Sequence, residues 1–552
     1  MSFRKIYKLI KPYTKSVIFM SFYSIMLAFI AAAIPLVNSQ LIDNGLLKLD
    51  IYRSVFFILI LMLLQASDRI IQYLQEKCEL ETALSFGKDL KIKALNHSFR
   101  LDPQYIKDQS FYKIVGDALY DISNIINIAS SNFLLILVII CKAVGAAIGL
   151  LLLDWKLALF ILILIPVKIF LNIFIRKKAE KYSKLLMQRN KDYNTWFSDM
   201  LYGIIDIKLW NIHTKKINEY EEHIDKINSA SKKLSLLNLK NSTVTSIMES
   251  GFVNLLYLLG AVLIIRNELT IGGLFAFVSF SSYLFIPVNA IMDMRILLKQ
   301  IAPSLKSLKN FFELEEENYS SRLPLSHDIR YIEFQNVSVS YGEHAVLEKI
   351  SFRMEPGSKV AIVGENGSGK TTIINLLLRL CQPSSGDIYI NGTPIREYNI
   401  EDYRKHFSSV MQDVHLFNGT VLENIEISKD GFCNKSFNFC TDAIEHLDQK
   451  YETVVGSNGT KLSGGEKQKV ALLRALNRKS EILILDEATA NYDKVSEKKF
   501  IQFLSENDDY KYYFVITHNP EILEAVDVKI YLSNGKITKI EEKKKTLGGI
   551  RN

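Results

Sequence analysis

The residues best equipped for chemistry are a run of small and polar types, Gly364-Glu365-Asn366-Gly367-Ser368-Gly369-Lys370-Thr371-Thr372. They follow the apolar run KVAIV and precede TTIINLLLRL, which has the pattern of a helix. A glycine-rich turn between a strand and a helix lets successive backbone N–H groups face phosphate oxygens at the helix N-terminus, where the peptide dipoles favour an anion. In such a loop Lys370 reaches the terminal phosphates and Thr371 offers its hydroxyl to Mg²⁺. A second run, Ile482-Leu483-Ile484-Leu485-Asp486-Glu487, is an apolar strand ending in adjacent carboxylates. Asp486 is placed to hold Mg²⁺ directly or through water, and Glu487 to polarise an attacking water as general base. Between the two lies Leu462-Ser463-Gly464-Gly465-Glu466, a further helix start whose amides and hydroxyl suit a phosphate.

Groups of this kind need a rigid scaffold, and residues 329–545 supply the pattern of one. Short apolar runs alternate there with amphipathic stretches, the signature of a parallel sheet covered by helices. Residues 307–328 are polar and charged and read as a linker, and residues 546–552 as a tail. Residues 1–306 are different. Residues 17–37 carry no charge, enough for a helix to cross ~30 Å of hydrocarbon. This stretch is longer than the apolar part of a signal peptide and more spans follow it, so a cleavable leader is not expected. Further spans are expected at 54–73, 132–153, 157–175, 244–265 and 271–291, giving about six membrane helices. The fold class is thus an all-α six-helix transmembrane domain followed by an α/β phosphate-loop domain.

The connections at 42–53, 154–156 and 266–270 are short, whereas 75–131 and 176–242 are long and helical in pattern. Arg4, Lys5, Lys8, Lys11 and Lys15 before the first span, and Arg176, Lys177, Lys178, Lys181 and Lys184 in the second long connection, place both on the cytoplasmic side. The soluble domain and both termini are expected there too. Composition supports this partition. The 552 residues are 48% hydrophobic and 23% charged, which excludes a disordered or fibrous chain. The formal charge of +8 is small for this length and forms no dense basic block before Lys543–Lys545, so nucleic acid is not an expected partner. Cys78, Cys141, Cys381, Cys433 and Cys440 lack metal-site or disulfide-framework spacing and read as reduced thiols.

The Leu462–Glu466 segment resembles the signature motif of ATP-binding-cassette proteins. The order of the other elements resembles that family as well: Tyr341 as the aromatic that stacks on adenine, the phosphate loop, Gln412 in VMQDVHLF, the signature, Asp486-Glu487, Asp493 and finally His518 in VITHN. The resemblance extends over essentially the whole chain, since six spans followed by one cassette is the half-transporter arrangement of the exporter type. It implies ATP and Mg²⁺ as cofactors and ATP hydrolysis as the activity. Thr371, Gln412 and Asp486 are then expected around the metal, Glu487, His518 and Gln412 around the reacting phosphate, and Ser463, Gly464, Gly465, Glu466 and Asp493 in the nucleotide site. In the family the signature completes the site of the opposite subunit, so a second copy of the chain, or a homologous half-transporter, is the implied partner.

Two segments depart from the family pattern. Ala490-Asn491-Tyr492-Asp493 stands where relatives commonly have Ser-Ala-Leu-Asp, and VVGSNG, with Ser457 and Asn458, stands where exporters often place a Glu-Arg pair. In the membrane half, LDPQYIKDQSFYKIVGDALYD and FSDMLYGIIDIKLWN resemble intracellular coupling regions, with short helices expected near residues 108–116 and 198–205 and pressing on cassettes; LTIGGLFAF resembles the start of the last helix.

Ionisable residues inside the spans bear on cargo, because an unpaired charge in hydrocarbon costs several kcal/mol. Lys142 and Lys168 each lie near the bilayer midplane by helical rise. One expectation is that they, with Glu249, line a central cavity for an anionic or carbonyl-rich cargo. The other is internal pairing with Glu249 or Asp68 for helix packing. The favoured reading is a bacterial plasma-membrane exporter of an amphipathic peptide natural product or drug-like compound, working as a homodimer in the lipid bilayer. An exporter-fold importer of a chelator or peptide, a lipid flippase, one subunit of a heterodimer, and a regulated channel or receptor are the alternatives.

Overall fold

The computed structural model describes residues 11–105, 110–153, 155–319, 321, 323–341, 344–427 and 444–543. Arg4, Lys5, Lys8, Asp108, Cys433, Cys440, Lys544 and Lys545 lie outside the described residues, as do the side chains of Lys11, Arg176, Lys177 and Tyr341. The chain forms two compact units, residues 1–96 with 114–313 and residues 97–113 with 314–552.

The first unit is helical. Its elements are α1 (Thr14–Gln40), α2 (Ile51–Arg100), α3 (Ser110–Leu153), α4 (Trp155–Tyr202), the short α5 (Ile204–Leu209), α6 (His213–Ile265) and α7 (Ile271–Phe312). Every span expected from hydropathy falls inside one of the long helices. Among the described residues, Thr14–Leu46, Ile51–Arg100 and His213–Ile265 are long and apolar enough to cross a membrane, and Val138–Leu151 and Ile271–Pro287 are shorter apolar stretches. The helices outrun the bilayer: at 1.5 Å per residue α6 is ~80 Å long, against ~30 Å of hydrocarbon. The long connections of the sequence are therefore largely continuations of the same helices, kept helical by backbone bonds and wetted on their polar faces.

Apolar residues cover the outside as well as the inside of this unit. Phe22, Phe29, Phe56 and Leu63 are exposed, which suits lipid and would be unfavourable in water. Inside, Phe277 and Phe280 of α7 are buried among Ala146, Leu150 and Leu256 of α3 and α6. The start of α7 is fixed twice, by the Thr270 hydroxyl accepting the Gly273 amide at 2.9 Å and by Asp43 Oδ1 accepting the Gly272 amide at 2.8 Å.

In the second unit, β1 (Ile332–Tyr341), β2 (His344–Met354), β4 (Ser385–Ile390) and β5 (Thr393–Pro394) form an antiparallel sheet in the order β2-β1-β4-β5. The larger sheet has the order β10-β9-β3-β8-β7-β6, built from β3 (Ser358–Gly364), β6 (Phe407–Val410), β7 (Ile482–Asp486), β8 (Tyr512–Ile516), β9 (Val528–Ser533) and β10 (Lys536–Glu542). β6, β7, β8, β3 and β9 are mutually parallel, and β7 and β8 are buried along their whole length, as strands covered on both faces must be. The helices include α8 (Lys370–Leu377), α9 (Ile400–Lys405), α10 (Val421–Ile425), α11 (Gly464–Asn477), α12 (Lys494–Glu506) and α13 (Pro520–Glu524).

The turn that begins LDPQY belongs to this second unit. The Asp102 amide donates to the Glu315 carbonyl at 3.0 Å, the Glu317 amide to the Arg100 carbonyl at 2.7 Å, and Gln382 Nε2 to Asp102 Oδ2 at 2.9 Å. Glu317 also takes a two-pronged contact from Arg404, at 3.0 and 2.6 Å. Residues 106–109, at the start of the first short helix expected there, lie outside the described residues; Gly116 is interior to α3, a continuous helix. The other short helix, expected near 198–205, is displaced: residues 198–202 are the end of α4, and after a break at Gly203 the short helix α5 covers 204–209 instead.

Candidate functional site

Parallel strands put the residues that follow their carboxyl ends side by side, and this is where open α/β sheets hold ligands. Gly364 ends β3, Val410 ends β6, Asp486 ends β7 and Ile516 ends β8. The register aligns Ile362 with Ile516, Ile516 with Asp486, and Leu485 with Val410. The sheet therefore collects the phosphate loop, Gln412, Asp486-Glu487 and His518 along one edge, although the chain visits them far apart.

Within the loop, Lys370 is buried and its ammonium donates to the Gly364 and Glu365 carbonyls at 2.8 and 3.0 Å. The side chain is thus folded back over the loop and held in place at the start of α8. Gly369 takes φ +101°, and a Cβ there would meet Leu347 at 2.5 Å, so only glycine fits the turn. Ser368 Oγ in the loop and Asp486 Oδ2 at the end of β7 are buried without a hydrogen-bond partner. Buried polar atoms are normally satisfied, and a carboxylate oxygen left without a donor, beside the Thr371 hydroxyl that bonds Asp486, fits a hard cation such as Mg²⁺. Burial raises the Asp486 pKa to about 6, with the neighbouring Glu487 adding to the rise and Thr371 and Lys370 opposing it.

Glu487 has φ +49°, a left-handed backbone that costs a non-glycine residue ~1–3 kcal/mol. Its amide donates to the Ile516 carbonyl at 3.0 Å and its carbonyl accepts from the Ala490 amide at 3.2 Å, which hold the strained turn. The turn aims the carboxylate between two partners: Gln412 Nε2 donates to Oε2 at 3.0 Å, and His518 Nε2 lies 3.7 Å from Oε1.

The signature segment starts α11. Ser463 caps the helix reciprocally with Glu466, whose carboxylate accepts the Ser463 amide and hydroxyl, both at 2.7 Å. Asn491 lies over the glycines that follow: a Cβ on Gly465 would sit 2.7 Å from the Asn491 carbonyl oxygen. Asp493 caps α12, accepting the Val495 and Ser496 amides at 3.0 and 2.9 Å and the Ser496 hydroxyl at 2.7 Å. These bonds, those from Ser496 first, with Lys469 nearby, hold its carboxyl well below the usual range. Tyr341 ends β1 opposite His344. In the VVGSNG segment Asn458 adopts φ +50° within a tight turn.

One residue of this region escaped the sequence reading. Gln468 is buried, its Oε1 accepts the Asn491 amide at 3.1 Å and its Nε2 reaches the Glu487 carbonyl at 3.5 Å, so it links the signature helix to both. The only sequence signal is its place four residues after Gly464, on the same helix face.

In the first unit, Lys142 donates to Asp68 at 3.3 Å. Lys168 is 1% exposed, donates to Glu249 and to the Phe285 carbonyl, and lies over the Phe285 ring. Both lysines thus have carboxylate partners within the unit, the packing alternative of the sequence reading, and Lys168 faces no open surface.

Residues 17–288 match the family described as ABC transporter transmembrane region, and residues 347–490 the family described as ABC transporter. Among similar proteins are the ATP-dependent lipid A-core flippases of Burkholderia thailandensis (26% identity over 95% of this chain and 91% of the relative) and Vibrio cholerae (28% over 81% and 78%). Among solved structures, a bacterial Atm1-family ABC exporter with ATP bound superposes with a TM-score of 0.80, at 20% identity, over 96% of this chain and 95% of that one. The matched regions and the site geometry place the chain in the ATP-binding-cassette transporter family, with a membrane region and an ATP-hydrolysing cassette in one polypeptide.

Proposed function

We propose that the chain works as a homodimeric exporter in a bacterial plasma membrane, moving an amphipathic peptide or drug-like molecule outward by alternating access. The observation that carries the ATP-driven part is the Glu487 carboxylate, held by a strained turn between Gln412 and His518 at the strand ends that carry the phosphate loop. In this reading the loop amides of residues 364–372 and Lys370 bind the phosphates, and Tyr341 stacks on adenine. Thr371 and Asp486, with Gln412, hold Mg²⁺, which neutralises phosphate charge when bound. Glu487 takes the proton of the attacking water, and His518 holds the γ-phosphate.

A second copy is supported by the signature, whose glycines open the helix α11 with Asn491 beside them, and by the elbow around α5. There Tyr202 is 92% exposed and Leu209 and Trp210 are about three-quarters exposed, an apolar knuckle that suits a protein partner. ATP closes the cassette pair and turns the cavity outward, and hydrolysis resets it. A lipid cargo is the second reading, favoured by relatives that are named lipid A-core flippases. The test is ATPase activity and directional flux of the purified chain in bilayers, with a panel of peptides, hydrophobic drugs and lipids. Stimulation and outward movement of a peptide or drug support the first reading, those of a lipid alone the second. Absence of ATPase in the chain alone would overturn the homodimer.

A further inference from the structure

At the opposite end of the parallel strands, three side chains from distant parts of the sequence converge. His327 lies before β1, His406 immediately before β6 and Glu481 immediately before β7. One potential ligand atom from each lies within 4.8 Å of the others. The Glu481 carboxylate divides its oxygens between them: Oε2 meets His406 Nδ1 at 2.7 Å, and Oε1 meets His327 Nδ1. The two imidazole centroids are 4.8 Å apart. None of these residues has a part in the phosphate chemistry, since β7 separates Glu481 from Asp486 by ~16 Å of extended strand.

The backbone under all three is fixed. Lys511 Nζ donates to the His327 carbonyl at 2.7 Å; the Glu481 and Ile482 amides donate to the His406 carbonyl at 3.2 and 3.0 Å; and the Lys511 and Tyr512 amides donate to the Glu481 carbonyl at 2.9 and 3.1 Å. Such anchoring fixes the backbone positions from which the three side chains converge, a precondition of a metal site. His406 is 3% exposed, Glu481 16% and His327 87%, so the cluster is a pocket floor with one outer arm that can swing by rotation of its own side chain.

We propose that His327, His406 and Glu481 bind a borderline divalent transition metal, zinc by preference, stapling the segment that leads into β1 to the starting ends of β6 and β7. Two imidazoles and one carboxylate are the donor set that zinc accepts at ~2.0–2.2 Å, and the exposed side at His327 leaves the fourth position to water. A hard cation such as Mg²⁺ prefers all-oxygen donors and is not selected.

The test uses the full chain in lipid nanodiscs, chelator-treated and free of nucleotide. Zn²⁺ is titrated calorimetrically and Co²⁺ is followed by its visible absorption. The expected result is one Zn²⁺ per chain with Kd at or below about 1 μM, a raised thermal midpoint, and a Co²⁺ spectrum of low coordination number. His327→Ala, at an exposed position where folding is not at stake, should weaken Zn²⁺ by at least about tenfold and remove the thermal shift, and Glu481→Gln should do the same. His213→Ala, at the start of α6 in the first unit, should change neither. Absence of Zn²⁺ binding by the wild type, or equal binding by the wild type and both the His327 and Glu481 variants, would overturn the proposal.

Discussion

Gln412 and Glu487, 75 residues apart in the sequence, meet at 3.0 Å through Nε2 and Oε2. The contact exists because β6 and β7 are adjacent parallel strands with Val410 level with Leu485, so the residues after both strands leave the sheet at the same edge. A general base in this position has an orienting donor on one oxygen and an imidazole on the other. Glu487→Gln keeps the shape and removes the basicity. ATP turnover in nanodiscs should fall by at least ~10²-fold, while nucleotide binding, measured by equilibrium titration, stays within a few fold.

The buried Asp486 sets a pH dependence. Its folded-state pKa of about 6 lies above the ordinary 3.8, so it contributes stability that is fully present below about pH 4 and lost as pH rises through about 6. In the metal-free, nucleotide-free chain, Asp486→Asn, which imitates the protonated form, should raise the thermal midpoint at pH 7.5 and leave it unchanged at pH 4. The same titration opposes metal binding. Wild-type ATPase at limiting Mg²⁺ should lose activity on acidification through about pH 6, and added Mg²⁺ should move that limb to lower pH. A limb indifferent to Mg²⁺ would detach it from Asp486.

Asn491 resting on the signature glycines makes a steric prediction. A methyl group on Gly465 would lie 2.7 Å from the Asn491 carbonyl oxygen, closer than Cβ contacts allow, so Gly465→Ala must displace the segment joining Glu487 to Asp493. ATPase should drop by about tenfold or more, with ATP affinity of the phosphate loop retained. Full activity in this variant would mean that the segment yields without consequence.

The Lys168–Glu249 pair is expected to serve packing. Lys168→Met leaves Glu249, whose side chain is 36% exposed, without its ammonium partner, so the loss is smaller than the ~3–5 kcal/mol of a fully buried pair. The thermal midpoint should fall clearly, and Lys168→Met combined with Glu249→Leu should recover at least half of the loss. A double variant with full stability but no response of its ATPase to cargo would assign the pair to cargo recognition.

The sequence alone carried the division into a membrane half and a cassette half, because an uncharged run of span length and a G-x-x-x-x-G-K-T loop are local patterns with local physical causes. It carried Lys370, Asp486 and Glu487 as candidates in the same way, from the phosphate-loop pattern and from an apolar strand ending in carboxylates, whereas His518 entered through the resemblance to the cassette family's order of motifs. What it left open were the relations that need the third dimension. Whether Lys142 and Lys168 face a cavity or a carboxylate depended on which helix faces turn toward each other, and hydropathy does not encode rotation about a helix axis. The positive φ at Glu487, the bridge made by Gln468 and the cover that Asn491 places over Gly465 depend on strand register and helix docking. His327, His406 and Glu481 have no spacing that announces a site; only the order β8-β7-β6, and the pinning of the segment before β1 beside it, brings two imidazoles to one carboxylate.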